Sequence, residues 1–358
     1  MKKIIISMLT LLTVNSYAQT DSTNNPLSIS GYLETYYGYD FINPSNHSRP
    51  GFVYSHNRHN EINLNLGFVK MGYTTEKVRA NLALMTGSYA NANLAAEPAV
   101  LKNIFEANAG MKISSKKNVW IDAGIFASHI GFESAIGRDC WTLTRSMLAD
   151  NSPYFESGVK LSYTSDNGEW FVSGLFLNGW QRIQRVEGNN TPAAGHQLTW
   201  KPNAKITLNS SSFIGSDTPD SIRQMRYFHN FYAQLQLLEK LGVIVGLDYG
   251  AQQKSKESSD YNTWYSPVII ARYSVSDKIN IAVRGEYYND EQGVIIYTGT
   301  KNGFQTYGYS LNLDYAVAGN IMWRIEGKGF TASDKIFTLD NKPVNENYLI
   351  TSALAISF

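Results

Sequence analysis

Charge and cysteine are both scarce in this sequence of 358 residues. Lys, Arg, Asp and Glu together make up 17% of it, against about 25% in typical soluble domains. The 31 basic and 30 acidic residues leave a formal net charge of +1, which argues against a nucleic-acid-binding protein that neutralises phosphates. The single cysteine, Cys140, excludes a disulfide framework and any zinc site built from cysteines.

Long apolar runs and helical periodicity are missing as well. No segment beyond the N-terminus has the roughly 20 consecutive apolar residues of a transmembrane helix. Aromatic residues are plentiful instead, at 13% with 23 Tyr, and apolar residues recur with a period of two. In residues 60–70, for example, Ile62, Leu64, Leu66 and Phe68 alternate with mostly polar or small residues. This period is typical of a sheet with one apolar face, and it argues against an α/β enzyme.

The first 18 residues have the features of an export signal. Lys2 and Lys3 form a positive start, residues 4–14 a short apolar stretch, and residues 16–18 a small-x-small cleavage site. The apolar stretch is too short to cross a bilayer as a helix. We therefore predict a cleaved signal peptide at 1–18 and an exported mature chain.

The rest of the chain divides at turn and loop signals into sixteen candidate strands. They start near residues 27, 60, 78, 103, 119, 153, 169, 196, 205, 228, 242, 264, 279, 304, 320 and 346. Seven short connections alternate strictly with eight long ones. The short ones are 73–77, 114–118, 165–168, 201–204, 239–241, 276–278 and 317–319, and the long ones are 40–59, 90–102, 129–152, 181–195, 215–227, 252–263, 290–303 and 332–345.

This alternation predicts an all-β fold, a transmembrane antiparallel up-and-down β-barrel of about 16 strands with its short turns on the periplasmic side. The barrel would occupy residues 27–358 and follow a short periplasmic segment at 19–26. A soluble β-sandwich or propeller has no reason to alternate its loop lengths. The predicted location is the outer membrane of a Gram-negative bacterium, in contact with its lipids and lipopolysaccharide.

Aromatic residues concentrate near the predicted strand ends, as expected for the two interfaces of a bilayer. Those near long loops are Tyr36, Tyr37, Tyr39, Tyr89, Trp180, Trp264, Tyr265, Tyr287, Tyr288 and Phe330, and those near short turns are Tyr73, Trp120, Trp170, Trp200, Tyr315 and Trp323. The last residue, Phe358, falls on the apolar face of the last strand. We predict that this terminal aromatic residue engages the barrel-assembly machinery.

About sixteen strands enclose a lumen too wide for side chains alone to fill. The segment before the first strand is too short to form a folded plug, so we expect water inside. Charged residues fall opposite the apolar face, since a Lys or Arg in mid-membrane would cost roughly 2–4 kcal/mol on the lipid side. The candidate lumen-lining residues are Glu106, Asp122, Glu156, Lys160, Asp248, Arg284, Glu286, Arg324 and Glu326. Both signs are mixed, which indicates weak ion selectivity.

The longest predicted loop, 129–152, is the candidate constriction. It contains Glu133, Arg138, Asp139 and Arg145. If the loop folds into the lumen, its carboxylates and arginines would set up a transverse field across the pore. If it caps the barrel from outside, the same charges are simply solvated. The sequence leaves both arrangements open.

Four short motifs, taken in their order and spacing, resemble the OmpL-like putative β-barrel porins, a family of outer-membrane channels of Gram-negative bacteria. They are residues 130–133 (IGFE), Pro153-Tyr154 with Gly158, residues 178–181 (NGWQ) and residues 198–202 (LTWKP). The similarity extends through the mature chain and is densest from residue 120 to residue 215. The resemblance implies an outer-membrane barrel with passive permeation, and it brings no catalytic or substrate-binding residues with it.

The predicted function is therefore a porin-like channel for passive diffusion of small polar solutes, with no enzymatic activity and no metal or other cofactor. Two alternatives stay open: a binding or adhesion barrel that uses its eight long loops, and a barrel lipid hydrolase. No Gly-x-Ser-x-Gly motif supports the hydrolase. Histidines such as His56 and His59 are interpreted as surface residues rather than metal ligands. A homo-oligomer is compatible with the sequence.

The barrel itself predicts heat-modifiable migration in SDS gels. A closed barrel resists SDS until its strand pairing melts, so unheated and boiled samples should migrate differently. Identical mobility of the two samples would contradict the barrel.

Neutralising Arg138 and Arg145 together tests the position of loop 129–152. If the loop lies in the pore, single-channel ion selectivity should change, because fixed charges near a constriction act on permeating ions at close range. Unchanged selectivity would remove the loop from the pore.

Overall fold

Sixteen strands close into one antiparallel barrel in the computed structural model, which describes residues 25–358. The predicted signal peptide lies outside the described residues. Barrel strands that follow each other in the chain pair with each other, and the last strand pairs with the first. All sixteen strands start within three residues of their predicted positions. The predicted all-β barrel fold is therefore confirmed.

The strands and helices are numbered in chain order. The barrel consists of β1 (Leu27–Asp40), β2 (Ile62–Thr74), β3 (Val78–Thr86), β4 (Ile104–Lys112), β5 (Asn118–Ala127), β6 (Phe155–Thr164), β7 (Trp170–Leu177), β8 (Ala193–Asn203), β9 (Ile206–Gly215), β10 (Arg226–Gln236), β11 (Leu241–Gln253), β12 (Tyr261–Ser274), β13 (Ile279–Asp290), β14 (Phe304–Ala318), β15 (Ile321–Ala332) and β18 (Glu346–Ser357). In the last long loop, β16 (Phe337–Leu339) and β17 (Lys342–Val344) form a separate hairpin.

The helices are short and lie in the long loops. They are α1 (Ser88–Asn93), α2 (Met147–Asp150) and the 3₁₀ turns Ala99–Asn103, Gly137–Asp139 and Asp220–Ile222. Within residues 25–358, none of these helices has the length and apolar character needed to cross a membrane.

The barrel closes where β1 meets β18. The main-chain N–H of Gly31 donates to the carbonyl of Phe358 at 2.7 Å, and the N–H of Phe358 donates back to Gly31 at 3.0 Å. Closure leaves no open strand edge, which is what a lipid environment demands because it cannot hydrogen-bond unpaired main-chain groups.

Side chains alternate between the outside and the inside of the wall. Along β11, Val245, Leu247 and Tyr249 are exposed on the outside, whereas Ile244 and Asp248 are buried inside. The exposed outer surface is therefore apolar along the strand, as contact with lipid requires.

The inside of the barrel at the long-loop end is also apolar. Inward aromatic residues at the strand ends pack against Phe52 of the first long loop, whose ring centroid lies 4.8 Å from that of Phe304 and 5.2 Å from that of Phe330. We call this buried cluster the apolar cap. It comprises Phe52, Val53, Phe126, Ile130, Met147, Leu175, Leu177, Ala193, Phe213, Phe228, Trp264, Tyr288, Ile296, Phe304, Phe330, Ala332, Phe337 and Leu349. The expectation that water fills the whole lumen is wrong at this end.

The predicted aromatic belts are only partly correct. Near the long loops, Tyr37 and Tyr265 lie exposed on the outside, but Tyr36, Tyr89, Trp264, Tyr288 and Phe330 are buried. At the other end, Tyr73, Trp170, Tyr315 and Trp323 are exposed on the outside. There Trp120 faces inward, with the guanidinium of Arg79 at 4.3 Å from its ring centroid.

Gly124 offers a test of how tightly β4 and β5 approach each other. Its φ of +125° disfavours other residues, and a Cβ at this position would collide with the carbonyl oxygen of Ala107. We expect Gly124→Ala to destabilise the barrel by about 1–3 kcal/mol, measured by urea unfolding in detergent. Gly174→Ala on β7 is the matched control, because a Cβ at that position would have no neighbouring atom within 4 Å. Equal stability of the two variants would contradict this account of the β4–β5 contact.

Candidate functional site

The loop between β5 and β6, residues 128–154 and here called L3, passes through the inside of the barrel. At its start, His129 Nδ1 lies 2.8 Å from Glu156 Oε2, and its Nε2 lies 2.8 Å from the carbonyl oxygen of Ser212. Ser211 Oγ donates to the carbonyl of His129 at 2.7 Å. Because Glu156 belongs to β6 and the two serines to β9, L3 is anchored to two separate parts of the wall.

Further along, main-chain N–H groups of L3 donate to polar side chains of the wall. The N–H of Leu143 donates to Asn312 Oδ1 at 3.0 Å, and the N–H of Thr144 donates to Glu326. The N–H of Met147 donates to Glu286 Oε2 at 2.5 Å. The three acceptors belong to β13, β14 and β15, so this side of the wall satisfies donors that would otherwise be buried without partners.

Cations of the same wall donate to the carbonyl oxygens of L3. Arg284 Nη1 lies 2.7 Å from the carbonyl of Thr144, and Nη2 lies 2.9 Å from Glu326 Oε1. Lys328 Nζ donates to the carbonyl of Arg145 at 3.0 Å and lies 3.0 Å from Glu286 Oε1. Wall and loop thus form one buried network in which each charge has partners of opposite sign.

The tip of L3, residues 137–140, reaches the short-turn end of the barrel. Arg324 donates to the carbonyls of Gly137 and Cys140 at 2.5 and 2.9 Å. Arg138 donates to Ser357 Oγ at 2.9 Å and to the carbonyl of Gly319, which lies in the turn between β14 and β15. L3 therefore runs along the barrel from the long-loop end to the short turns.

The four predicted constriction residues fall into two pairs. Arg145 is fully buried and donates to the carbonyls of Ser134, Leu143 and Ala135, all within L3. Glu133 is buried too and accepts from the N–H and the hydroxyl of Ser146. Both therefore fix the fold of the loop. Arg138 and Asp139 lie next to each other at the tip of L3, where Asp139 is exposed.

The predicted lumen-lining residues all lie on barrel strands, but most of them contact L3 rather than open water. Glu106 and Lys160 are half-buried. The buried members are Asp122, Glu156, Asp248, Arg284, Glu286, Arg324 and Glu326.

The sequence did not indicate that a second loop, residues 41–61 and here called L1, also enters the barrel. Its His56 is fully buried, with Nε2 2.5 Å from Glu34 Oε1 on β1. Asn65 Nδ2 donates to the same carboxylate oxygen at 2.9 Å. The interpretation of His56 and His59 as surface residues is wrong, because both are buried and His56 pairs with an inward carboxylate. Burial lowers the pKa of His56, with Glu34 opposing the shift.

Glycines on β11 make room for aromatic residues of L3. A Cβ at Gly242 would lie 2.6 Å from the Trp141 ring, and one at Gly246 would lie 2.7 Å from the Phe132 ring. Inward glycines on a long strand were the signal that could have predicted a segment inside the barrel. Cys140 lies in the same loop, where burial raises the pKa of its thiol to about 11 and keeps it protonated.

Residues 25–358 contain no group of three or more His, Cys, Asp or Glu side chains arranged to hold a metal ion. The arrangement that the residues do form is a closed antiparallel barrel with short turns at one end, long loops at the other and a loop packed through its interior. These features define a porin-type β-barrel.

The chain belongs to the family described as putative beta-barrel porin-2, OmpL-like, whose family model matches residues 26–358. The resemblance seen in the sequence is therefore confirmed, and with it the assignment to outer-membrane, porin-like barrels. No curated protein matches the chain.

Solved structures of outer-membrane proteins share the fold. DcaP of Acinetobacter baumannii matches with a TM-score of 0.61 at 9% identity, over 93% of this chain and 97% of that one. OmpT of Vibrio cholerae matches with a TM-score of 0.60 at 11% identity, over 93% and 97%. The anion-selective porin of Comamonas acidovorans matches with a TM-score of 0.60 at 7% identity, over 93% and 99%. At such low identity, these matches show a shared fold and nothing further.

L1 and L3 meet at a buried carboxyl group. Asp150 Oδ1 lies 3.0 Å from Ser55 Oγ of L1 and 3.2 Å from the Tyr154 hydroxyl, and both groups donate to it. Burial raises the pKa of Asp150 to about 6, although Lys328 and Arg145 oppose the shift. The folded state thus favours the protonated carboxyl group. The protonated carboxyl group makes its full contribution to the free energy of unfolding below about pH 4, near the pKa of an Asp in the unfolded chain. This contribution is lost as the pH rises through about 6.

We expect Asp150→Asn to remove this pH dependence. Between pH 4 and pH 7 the wild-type protein should lose up to about 3 kcal/mol more stability than the variant, because an amide has no proton to release. The measurement is urea unfolding in detergent across this pH range. Asp260→Asn, at an exposed position in another loop, should behave like the wild type. A variant that keeps the full wild-type pH dependence would contradict the role of Asp150.

Proposed function

We propose that this protein is an outer-membrane channel for passive diffusion of small polar solutes, with L3 as its constriction. The observation that carries the proposal is the position of L3, which is bound along the wall of β13–β15 while inward polar residues elsewhere on the wall keep contact with water. Solutes would move down their concentration gradients, without cofactor or covalent chemistry. Polar groups along the path replace part of the hydration shell, and the narrowest point limits solute size.

The apolar cap bears on how such a channel opens. Several of its members lie outside the barrel strands, among them Phe52 and Val53 of L1, Ile296 between β13 and β14, and Phe337 of the hairpin β16–β17. Displacing these loops would open the long-loop end without breaking strand pairing. Loops are the natural place for such motion, because fewer main-chain hydrogen bonds hold them.

The same cap favours a second candidate, the binding or adhesion barrel. A barrel that stays sealed at the long-loop end would use its eight loops to hold a ligand and would conduct no ions. Stable openings of refolded protein in a planar bilayer support the channel, and a sealed barrel would support the second candidate.

A polar patch on the outer wall supports a homo-oligomer. On β8, β9 and β10, His196 Nδ1 lies 2.6 Å from Ser212 Oγ, and Ser210 Oγ lies 2.9 Å from His229 Nε2. Polar side chains on a lipid-facing wall are costly, and contact with another subunit would shield them. One similar solved structure is described as the trimer form of OmpT of Vibrio cholerae.

Export, assembly and lipid contact complete the proposal. The signal peptide at 1–18 would be cleaved on export. Phe358 is exposed on the outside, next to the pairing of β1 with β18, which makes it accessible to the barrel-assembly machinery. The apolar outer surface would then contact membrane lipids and lipopolysaccharide.

The variant Glu286→Gln/Glu326→Gln tests L3 as the constriction. Both carboxylates accept main-chain N–H groups of L3, and both pair with buried cations. Neutralising them leaves Lys328 without an anionic partner and Arg284 with only Glu133 at 4.0 Å. Breaking a buried pair typically costs about 3–5 kcal/mol. We expect L3 to leave its position more often and single-channel recordings to show larger and more frequent openings.

Glu257→Gln/Glu291→Gln is the matched control, because both residues are exposed in loops. It should conduct like the wild type. A heat-modifiable Glu286→Gln/Glu326→Gln variant with wild-type conductance would argue against L3 as the constriction, since the barrel would then be folded with an unchanged pore.

A further inference from the structure

Inside the barrel, acidic and basic side chains of the wall differ in what surrounds them. Carboxylates of the wall are occupied by the loops: Glu286 and Glu326 bind main-chain groups of L3, and Glu34 binds His56 of L1. Glu156 does the same at the start of L3 through His129. All four carboxylates are buried, so they are withdrawn from any solute path.

Elsewhere on the wall, two further inward carboxylates, the half-buried Glu106 and the buried Asp122, are matched by cations. Lys70 Nζ lies 2.6 Å from Glu106 Oε2. Arg79 binds Asp122 through two contacts of 2.6 and 2.5 Å, reaching across β4. These pairs contribute no net charge to the lumen.

Three further inward cations have no carboxylate within salt-bridge distance in the described part of the chain: Lys112, Lys160 and Arg272. Lys160 lies opposite Asp122 in the register of β5 and β6, but Arg79 already binds that carboxylate. Arg272 lies near the Trp141 ring of L3, with its guanidinium carbon 5.8 Å from the ring centroid. All three cations are half-buried, as expected for side chains that border water inside a barrel.

A cavity at the short-turn end is also lined by basic residues. It measures about 60 Å³ and is lined by Lys201, Asn203, Ala204, Lys205, Thr207, Gln234 and Gln236. The lining includes two lysines together with amide and hydroxyl side chains, and it includes no carboxylate. At this end of the barrel, Asp139 at the tip of L3 is an exposed carboxylate, and Arg138 lies next to it in the chain.

We propose that the short-turn half of the lumen is a cationic vestibule that selects small anions, inorganic or bearing a carboxylate or phosphate group. This inference rests on the proposed channel function and replaces the weak, mixed selectivity expected from the sequence. L3 covers wall charges of both signs, since it also buries Arg284, Arg324 and Lys328. The three cations left facing water, Lys112, Lys160 and Arg272, would create the selectivity. Low-dielectric walls focus the field of these cations and raise the local concentration of anions.

The test is the reversal potential of refolded protein in a planar bilayer under a KCl gradient. Chloride should permeate several-fold more readily than potassium, which makes the dilute side negative at zero current. Lys112→Gln/Lys160→Gln/Arg272→Gln should move the reversal potential towards cation selectivity. With potassium acetate in place of KCl, the dilute side should again be negative, because acetate carries the carboxylate group that the vestibule would accept.

The matched control is Lys254→Gln/Lys256→Gln/Lys301→Gln, which removes the same charge from exposed positions in the long loops and should keep the wild-type potential. Stable openings with cation selectivity, or with a potential that the vestibule substitutions leave unchanged, would overturn the anion inference and leave the channel standing. Absence of any conductance would overturn the proposed channel and this inference with it. Heat-modifiable migration verifies that each variant has folded.

Discussion

The interior of a sixteen-stranded barrel is too wide to be packed by the side chains of its own wall. A chain segment placed inside must therefore find partners for every main-chain N–H and carbonyl group that it buries. In this protein, the wall of β13–β15 supplies those partners. Glu286, Glu326 and Asn312 accept from L3, while Arg284, Arg324 and Lys328 donate to it. The rest of the interior depends on this match between loop and wall.

The binding of L3 to the wall also affects the electrostatics of the rest of the lumen. A wall with nearly equal numbers of acids and bases would carry no preference for either sign. Once L3 and L1 cover Glu34, Glu156, Glu286 and Glu326, however, the charges left in contact with water are mostly positive. In the proposed channel, L3 narrows the lumen and the charges that remain in contact with water are mostly positive. The apolar cap closes the other end of the barrel with residues from the barrel strands and from the long loops.

The fold could be predicted from the sequence because strand pairing in a membrane leaves a strong periodic signal. Apolar residues alternate as in Val243, Val245 and Leu247, and connection lengths alternate with the side of the membrane. The interior could not be predicted in the same way, since an inward charged residue has the same place in the sequence pattern whether it borders water or a loop. Ile244 and Ile270 break the polar pattern of the inward face, and Gly242 makes room for Trp141. These were the available signals that a segment of the chain fills the barrel.

In the proposed channel, L3 runs through the lumen and its tip lies in the solute path at the short turns. The most direct measurement uses Asp139→Cys in a Cys140→Ser background, with a bulky, membrane-impermeant thiol reagent added to one side of a bilayer that contains open channels. We expect a stepwise loss of current when the reagent reaches the short-turn side. Modification that is complete by mass spectrometry, yet leaves the current unchanged, would contradict it.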